Sequence, residues 1–260
     1  MWGINNEFWG RGFDFNSYRN TLWYTDAGDS GYFSGGQLAM SEFYGKRPDY
    51  PIPPAGPGAY IVVAGNASAF SGLLTTGSPH PSRVMVCTVA SGDSTSNTVN
   101  GVTIDGTAMT LAAKNNQSAS MRSTGIFYLP WPSGTQATFR AALAGGSNGC
   151  LIAAYPIYPA NPNPISTDVG ATTNSSVALT PLNGQDGGYG FVTSHHRNTN
   201  ITNWSNTLGA TITNLYNGNV GGGGANGVTA SFRTGAVSGG VTASWAGQNN
   251  GSAVAALWGA

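Results

Sequence analysis

The chain has 260 residues, ten acidic and ten basic, for a formal net charge of zero; charged residues are 8% of it and glycines number 39. No apolar run approaches the ~20 residues needed to span a bilayer, the basic residues form no stripe, and Met1 to Phe13 holds no basic stretch leading into an apolar one. The expectation is a chain with no membrane insertion, no nucleic-acid partner and no Sec-type leader. A surface poor in charge and rich in Thr, Asn, Ser and Gly suits a protein covered by neighbours or working outside the cell.

Residues 1 to 16 carry Trp2, Phe8, Trp9, Phe13 and Phe15 with no helical or strand period. Aromatics this dense near a terminus pack against the body or a partner chain. Over 17 to 47, Trp23 and Tyr24 fit a short strand, and Asp26 to Gly36 reads as loop, with Gly and Asp supplying turns. Leu38, Met40 and Phe43 recur at spacings of two and three, as in a helical turn or an irregular docking segment. Six of the ten acids (Glu7, Asp14, Asp26, Asp29, Glu42 and Asp49) fall in the first 50 residues, with Arg11, Arg19, Lys46 and Arg47. Mixed charge among Trp23, Tyr24, Leu38, Met40, Phe43 and Tyr44 is what a docking surface needs: apolar anchors for affinity and charges for register.

The order Asn16-Ser17-Tyr18-Arg19, Trp23-Tyr24, a Gly/Ser loop from Gly28 to Gly36, then Leu38-Ala39-Met40-Ser41-Glu42-Phe43-Tyr44-Gly45-Lys46 resembles a short segment of tailed-bacteriophage tail and virion-surface proteins. In such proteins the segment precedes a variable distal domain. The resemblance implies a non-enzymatic virion component, located in the virion and docked through residues 1–47 on other tail or baseplate proteins. It also implies a symmetric homo-oligomer, often a trimer, because a ring or fibre matches the tail axis.

Residues 48–58, PDYPIPPAGPG, form a hinge: the prolines favour an extended, semi-rigid spacer and block helix or inner strand. From 59 to 260 short strand candidates alternate with Gly/Ser/Asn/Pro clusters, the pattern of an all-β, two-sheet, jelly-roll-like sandwich. The candidates are 59–64, 83–90, 99–104, 108–113, 125–130, 136–143, 150–158, 176–180, 188–193, 210–216, 228–233, 241–246 and 253–258. Asp105-Gly106, between alternating runs, predicts a type I′ hairpin, which needs positive φ at both central residues. Arg83–Val89 and Cys150–Ile157 are continuously apolar, as central strands are. Leu73-Leu74 suits a short helix or a rim loop, and Gly221 to Gly224 a flexible loop without the helix and Lys-Ser/Thr of a phosphate site. The run RVMVCTVA, the hairpin VNGVTIDGTAMTLAA, the stretch GIFYLPWPSGTQATFRAAL and a small-residue strand from Ser252 to Gly259 also resemble, in order, a domain of phage structural proteins.

Chemistry has little to stand on. Past residue 50 the acids are Asp93, Asp105, Asp168 and Asp186, mostly in turn contexts, whereas glycoside hydrolysis needs two carboxylates across one cleft. His195-His196 would point to opposite faces of a strand and so cannot share one ion; they and His80 read as surface or loop histidines. No Gly-x-Ser-x-Gly follows a strand. No catalytic residue, metal ligand or cofactor is expected. Cys87 and Cys150, in apolar runs, read as buried free thiols. Trp131, Trp204, Tyr216 and Trp245 read first as packing residues. Trp204, in NTNITNWSNT, is the best candidate platform for a host-surface glycan, with Asn side chains to bond hydroxyls.

Overall fold

The computed structural model describes residues 21–25, 30–34, 58–92, 98–117, 122–197, 202–221, 225–247 and 250–260. The chain divides into two compact units, Met1–Pro51 and Ile52–Ala260.

In the first unit β1 (Thr21–Thr25) pairs antiparallel with β2 (Ser30–Ser34), placing Trp23 opposite Tyr32. The sequence reading of Asp26 to Gly36 as loop is therefore corrected over Ser30–Ser34: the aromatic Tyr32-Phe33 pair sits in a strand. Of the proposed docking residues, Trp23 and Tyr24 lie on β1; Leu38, Met40, Phe43 and Tyr44, like the Pro-rich stretch up to residue 57, lie outside the described residues.

The second unit is all-β. In chain order its strands are β3 (Ala59–Thr75), β4 (Val84–Gly92), β5 (Thr98–Ile104), β6 (Thr107–Ala108), β7 (Thr110–Gln117), β8 (Arg122–Pro130), β9 (Gln136–Ile157), β10 (Ser166–Thr172), β11 (Ser176–Asn183), β12 (Gly188–His196), β13 (Asn203–Asn206), β14 (Thr213–Asn219), β15 (Asn226–Thr234), β16 (Ser238–Ser244) and β17 (Gly251–Trp258). They build three antiparallel sheets where sequence pattern suggested two. One runs β6-β5-β9-β4-β8-β7, with β3 on the other edge of β9; the second runs β10-β17-β12-β15-β14; the third runs β11-β16-β13.

The first sheet nearly closes on itself because β9 serves two layers. Its first half alternates: Ala137, Phe139 and Ala141 are buried while Gln136, Thr138 and Arg140 are exposed, as on a strand with one wet face. Then Ala144-Gly145-Gly146-Ser147-Asn148-Gly149 turns the strand, with Gly145 at φ +81°, and β3 shifts register opposite it beside Gly65. Beyond the turn every residue from Cys150 to Ile157 is buried, so this half is a central strand covered on both faces. The first half pairs with β5 and the second with β4, while β3 follows both. Leu73 and Leu74 thus belong to the end of β3 rather than to a helix or loop: ladder bonds to β9 hold them extended, with Leu74 buried and Leu73 exposed.

The two halves of this unit repeat one strand order. The path β3-β9-β4-β8-β7 matches β10-β17-β12-β15-β14, and β3-β9-β5 matches β11-β16-β13. In the second half the two long strands are divided, β3 into β10 and β11, β9 into β16 and β17. Short sequence runs follow suit: Phe139-Arg140-Ala141-Ala142-Leu143-Ala144-Gly145 corresponds to Val241-Thr242-Ala243-Ser244-Trp245-Ala246-Gly247.

Three apolar layers result. Met85, Cys87, Phe127, Phe139, Cys150 and Ile152 fill the curled first sheet. Val84, Ile126, Tyr155, Ile157, Phe191 and Trp258 join it to the five-stranded sheet. Leu179, Val192, Phe232, Val241, Trp245 and Leu257 join that sheet to the three-stranded one. The predicted hairpin is present, with Asp105 at φ +45° and Gly106 at φ +81°. Its Asp105 carboxylate accepts the Thr138 N–H at 2.7 Å.

Candidate functional site

A cleft of about 600 Å³ opens where the two repeats part; small-molecule sites typically span ~300–1,000 Å³. The middle apolar layer holds the repeats together, but unevenly. β7 packs on β10 and β17, whereas its counterpart β14 makes little contact with β3. On that looser side Tyr155, Pro156 and Ile157 from the first repeat, and Tyr189, Phe191, Ser231 and Arg233 from the second, line the opening, with Ala210, Thr211 and Thr213 on its rim. Strand alternation puts Tyr189 and Phe191 on one face of β12, while neighbouring β15 pairs Arg233 with Tyr189 and Ser231 with Phe191.

The cleft is apolar at its base and polar at its mouth. Tyr155 and Phe191 contact each other at 4.8 Å between ring centroids, and the Tyr155 hydroxyl bonds Thr229 at 2.7 Å. Burial pushes that hydroxyl's pKa up, so it stays protonated. Arg233 lies over the Tyr189 ring at 4.0 Å and donates from Nη1 to the Gly187 carbonyl at 2.9 Å. It is the one formal charge on the cleft wall among the described residues, and it is exposed.

A second polar region is wholly buried. His195 and His196 have no exposed surface, which corrects their reading as surface or loop residues: β12 is the middle strand of its sheet, covered on both faces. They do point apart. The His195 ring lies against Gly92, where an added Cβ would stand 2.4 Å from its Cε1. The His196 ring stacks on Trp245 at 4.5 Å and its Nε2 bonds the Thr202 hydroxyl at 3.0 Å. Burial, then the Arg122 charge, holds His195 well below the ordinary imidazole value and lowers His196 to about 4. Both rings are therefore neutral at pH 7. Among the described residues neither ring nitrogen of His195 has a hydrogen-bond partner. Among the described residues no three His, Cys, Asp or Glu side chains gather as metal ligands.

Trp204 is half-buried on β13, packed against the third apolar layer, and donates from Nε1 to Asn214 Oδ1 at 2.9 Å. It does not line the cleft. Trp245 is buried, Trp131 packs on the first layer, and half-buried Tyr216 packs on Tyr60 at 5.0 Å. Asp168 accepts the backbone N–H groups of Val169 and Thr180; Asp186 is exposed in a turn, and Asp93 lies outside the described residues. Cys87 and Cys150 are free and buried, as expected. Sequence reasoning did not find Tyr189 or Arg233. Their signal is faint: an aromatic and a cation in separate strands that only sheet pairing brings together.

Comparison with protein-family models, with curated proteins and with solved structures finds no match to this chain.

Proposed function

We propose that the chain is a non-enzymatic structural component of a tailed-phage virion, a tail fibre, spike or tail-tip protein anchored through its first 47 residues. The supporting observation is that the SYR…SEFYGK segment lies in its own compact unit, Met1–Pro51, ahead of a much larger β-body. In this reading each repeat of the body is a jelly-roll-like two-sheet sandwich, and the pair is carried outward as a rigid block, most simply in a symmetric homo-oligomer. The test is to delete residues 1–47 and measure incorporation into gradient-purified particles. Loss of incorporation with a folded body is expected; normal incorporation would refute the anchoring role.

A second reading is recognition of a host-surface glycan by the body. Two features favour it: the exposed part of Trp204 beside Asn203 and Asn214, and the aromatic cleft with hydroxyls on its rim. A glycan array probed with the whole chain tests it. Bound glycans are expected, and a blank array would remove this reading while leaving virion anchoring intact.

A further inference from the structure

We propose that the cleft between the two repeats is a binding site for an acidic saccharide, with Arg233 receiving the sugar carboxylate. The proposal rests on the glycan reading above and places its site at Arg233 instead of Trp204.

The argument starts from asymmetry. The same strand order occurs twice, and the two five-strand paths face each other through the middle apolar layer. On one side the junction is filled: the Tyr128 and Trp258 rings meet edge to face at 5.8 Å, the Tyr128 hydroxyl donates to Asn163 at 2.9 Å, and Trp258 Nε1 donates to the Pro162 carbonyl at 2.8 Å. On the opposite side Ser231 and Arg233 face the open cleft.

Arg233 is held ready. Tyr189 supports the guanidinium plane and Gly187 takes one Nη1 proton, so two of its freedoms are already fixed. Its Nε and Nη2 donors have no partner among the described residues, and it forms no ion pair there, although Asp186 adjoins Gly187 in sequence. A pre-set guanidinium edge with free donors matches a carboxylate in two-point geometry. Thr211, Thr213 and Ser231 supply hydroxyls that both donate and accept, as sugar hydroxyls require. Ile157 and Phe191 close the floor of the cleft, nearly all of their surface being taken up by the middle apolar layer. A cation beside hydroxyls fits an acidic sugar better than a lipid or a peptide helix, which would need an exposed apolar trough.

The test probes the whole chain against arrays holding sialylated, uronate-bearing and neutral glycans, with follow-up titration of a glucuronate-terminated oligosaccharide and of its methyl ester. Wild type should bind the acid at least tenfold more tightly than the ester, and binding should weaken with salt. R233Q should lose at least tenfold in affinity, R233K should recover only part, and W204A should bind as wild type does. Equal binding of acid and ester by wild type overturns the proposal without needing any variant to fold. Glycan binding that survives R233Q but is lost in W204A also overturns it and leaves the glycan reading standing. A chain that binds no glycan ends both.

Discussion

Gly145 and Gly247 share a φ of +81°, Gly145 within β9 and Gly247 between β16 and β17, the matching strands in the two copies of one strand order. An L-residue pays roughly 1–2 kcal/mol to sit in the left-handed region. Gly145→Ala and Gly247→Ala should each lower stability by about that amount. Urea denaturation should show a lower midpoint at an unchanged slope. Gly101, on β5, has open space around its Cβ position and ordinary φ, so Gly101→Ala should be neutral or stabilising by up to ~1 kcal/mol.

Arg83 ties two loops of the body together. It is fully buried just before β4, and its guanidinium donates to the backbone carbonyls of Thr76, Gly77, Trp131, Ser133 and Gly134. All five carbonyls belong to the loops joining β3 to β4 and β8 to β9. Hydrogen bonds to a charged group are worth about 1.5–3 kcal/mol each, and orphaned buried acceptors add to the cost. Arg83→Met should therefore destabilise by at least about 3 kcal/mol, measured by thermal or urea melting. Arg83→Lys should recover little, because an ammonium cannot reach five carbonyls spread around a planar fork.

His195 and His196 give the body a pH limit. Both imidazoles are held below their unfolded value, so the unfolded chain binds more protons as pH falls below about 6.5. Their contribution is fully present above that pH and is lost on the way down, for His196 between about 6.5 and its folded value of about 4. At 1.36 kcal/mol per unit, His196 alone accounts for about 3 kcal/mol. Stability should fall between pH 7 and 4, and His196→Gln should flatten that slope. A flat wild-type profile would contradict the burial of these rings.

Cys87 and Cys150 point into the same apolar layer. Burial pushes the Cys87 thiol up, and burial takes Cys150 to about 12 despite its bond to Ser91. Neither should react with iodoacetamide in the native state at pH 8, and both should react in urea. Residual native alkylation should track the small population of the opened state and rise in proportion to reagent concentration.

The all-β class was legible because it depends on local signals, whereas the number of sheets was not. Asp105-Gly106 marked its hairpin, and the unbroken apolar runs at Arg83–Val89 and Cys150–Ile157 marked strands covered on both faces. The runs 136–143 and 150–158 were seen as separate strands, since Gly145 to Gly149 looks like a loop; continuous pairing with β3 makes them one strand, β9. β10 and β13 were missed because Ser166–Thr172 and Asn203–Asn206 lie at sheet edges and carry few inward apolar residues. The repeat escaped notice because its matching positions share burial more than identity or size, as with Leu143 and Trp245. Two polar-looking histidines read as surface residues for a related reason: burial of β12 comes from sheets formed by distant sequence. The cleft was illegible for the same cause, since it depends on how closely the repeats meet.

The proposed anchoring of a duplicated β-body to a phage tail through residues 1–47 is tested most directly by a cryo-EM map of gradient-purified particles carrying the chain with a tag after Ala260. The prediction is tag density at the tail, repeated around its axis, with the body outward of the residues that contact the tail. Particles that lack the chain, or that hold it by the body with residues 1–47 away from any neighbour, would contradict it.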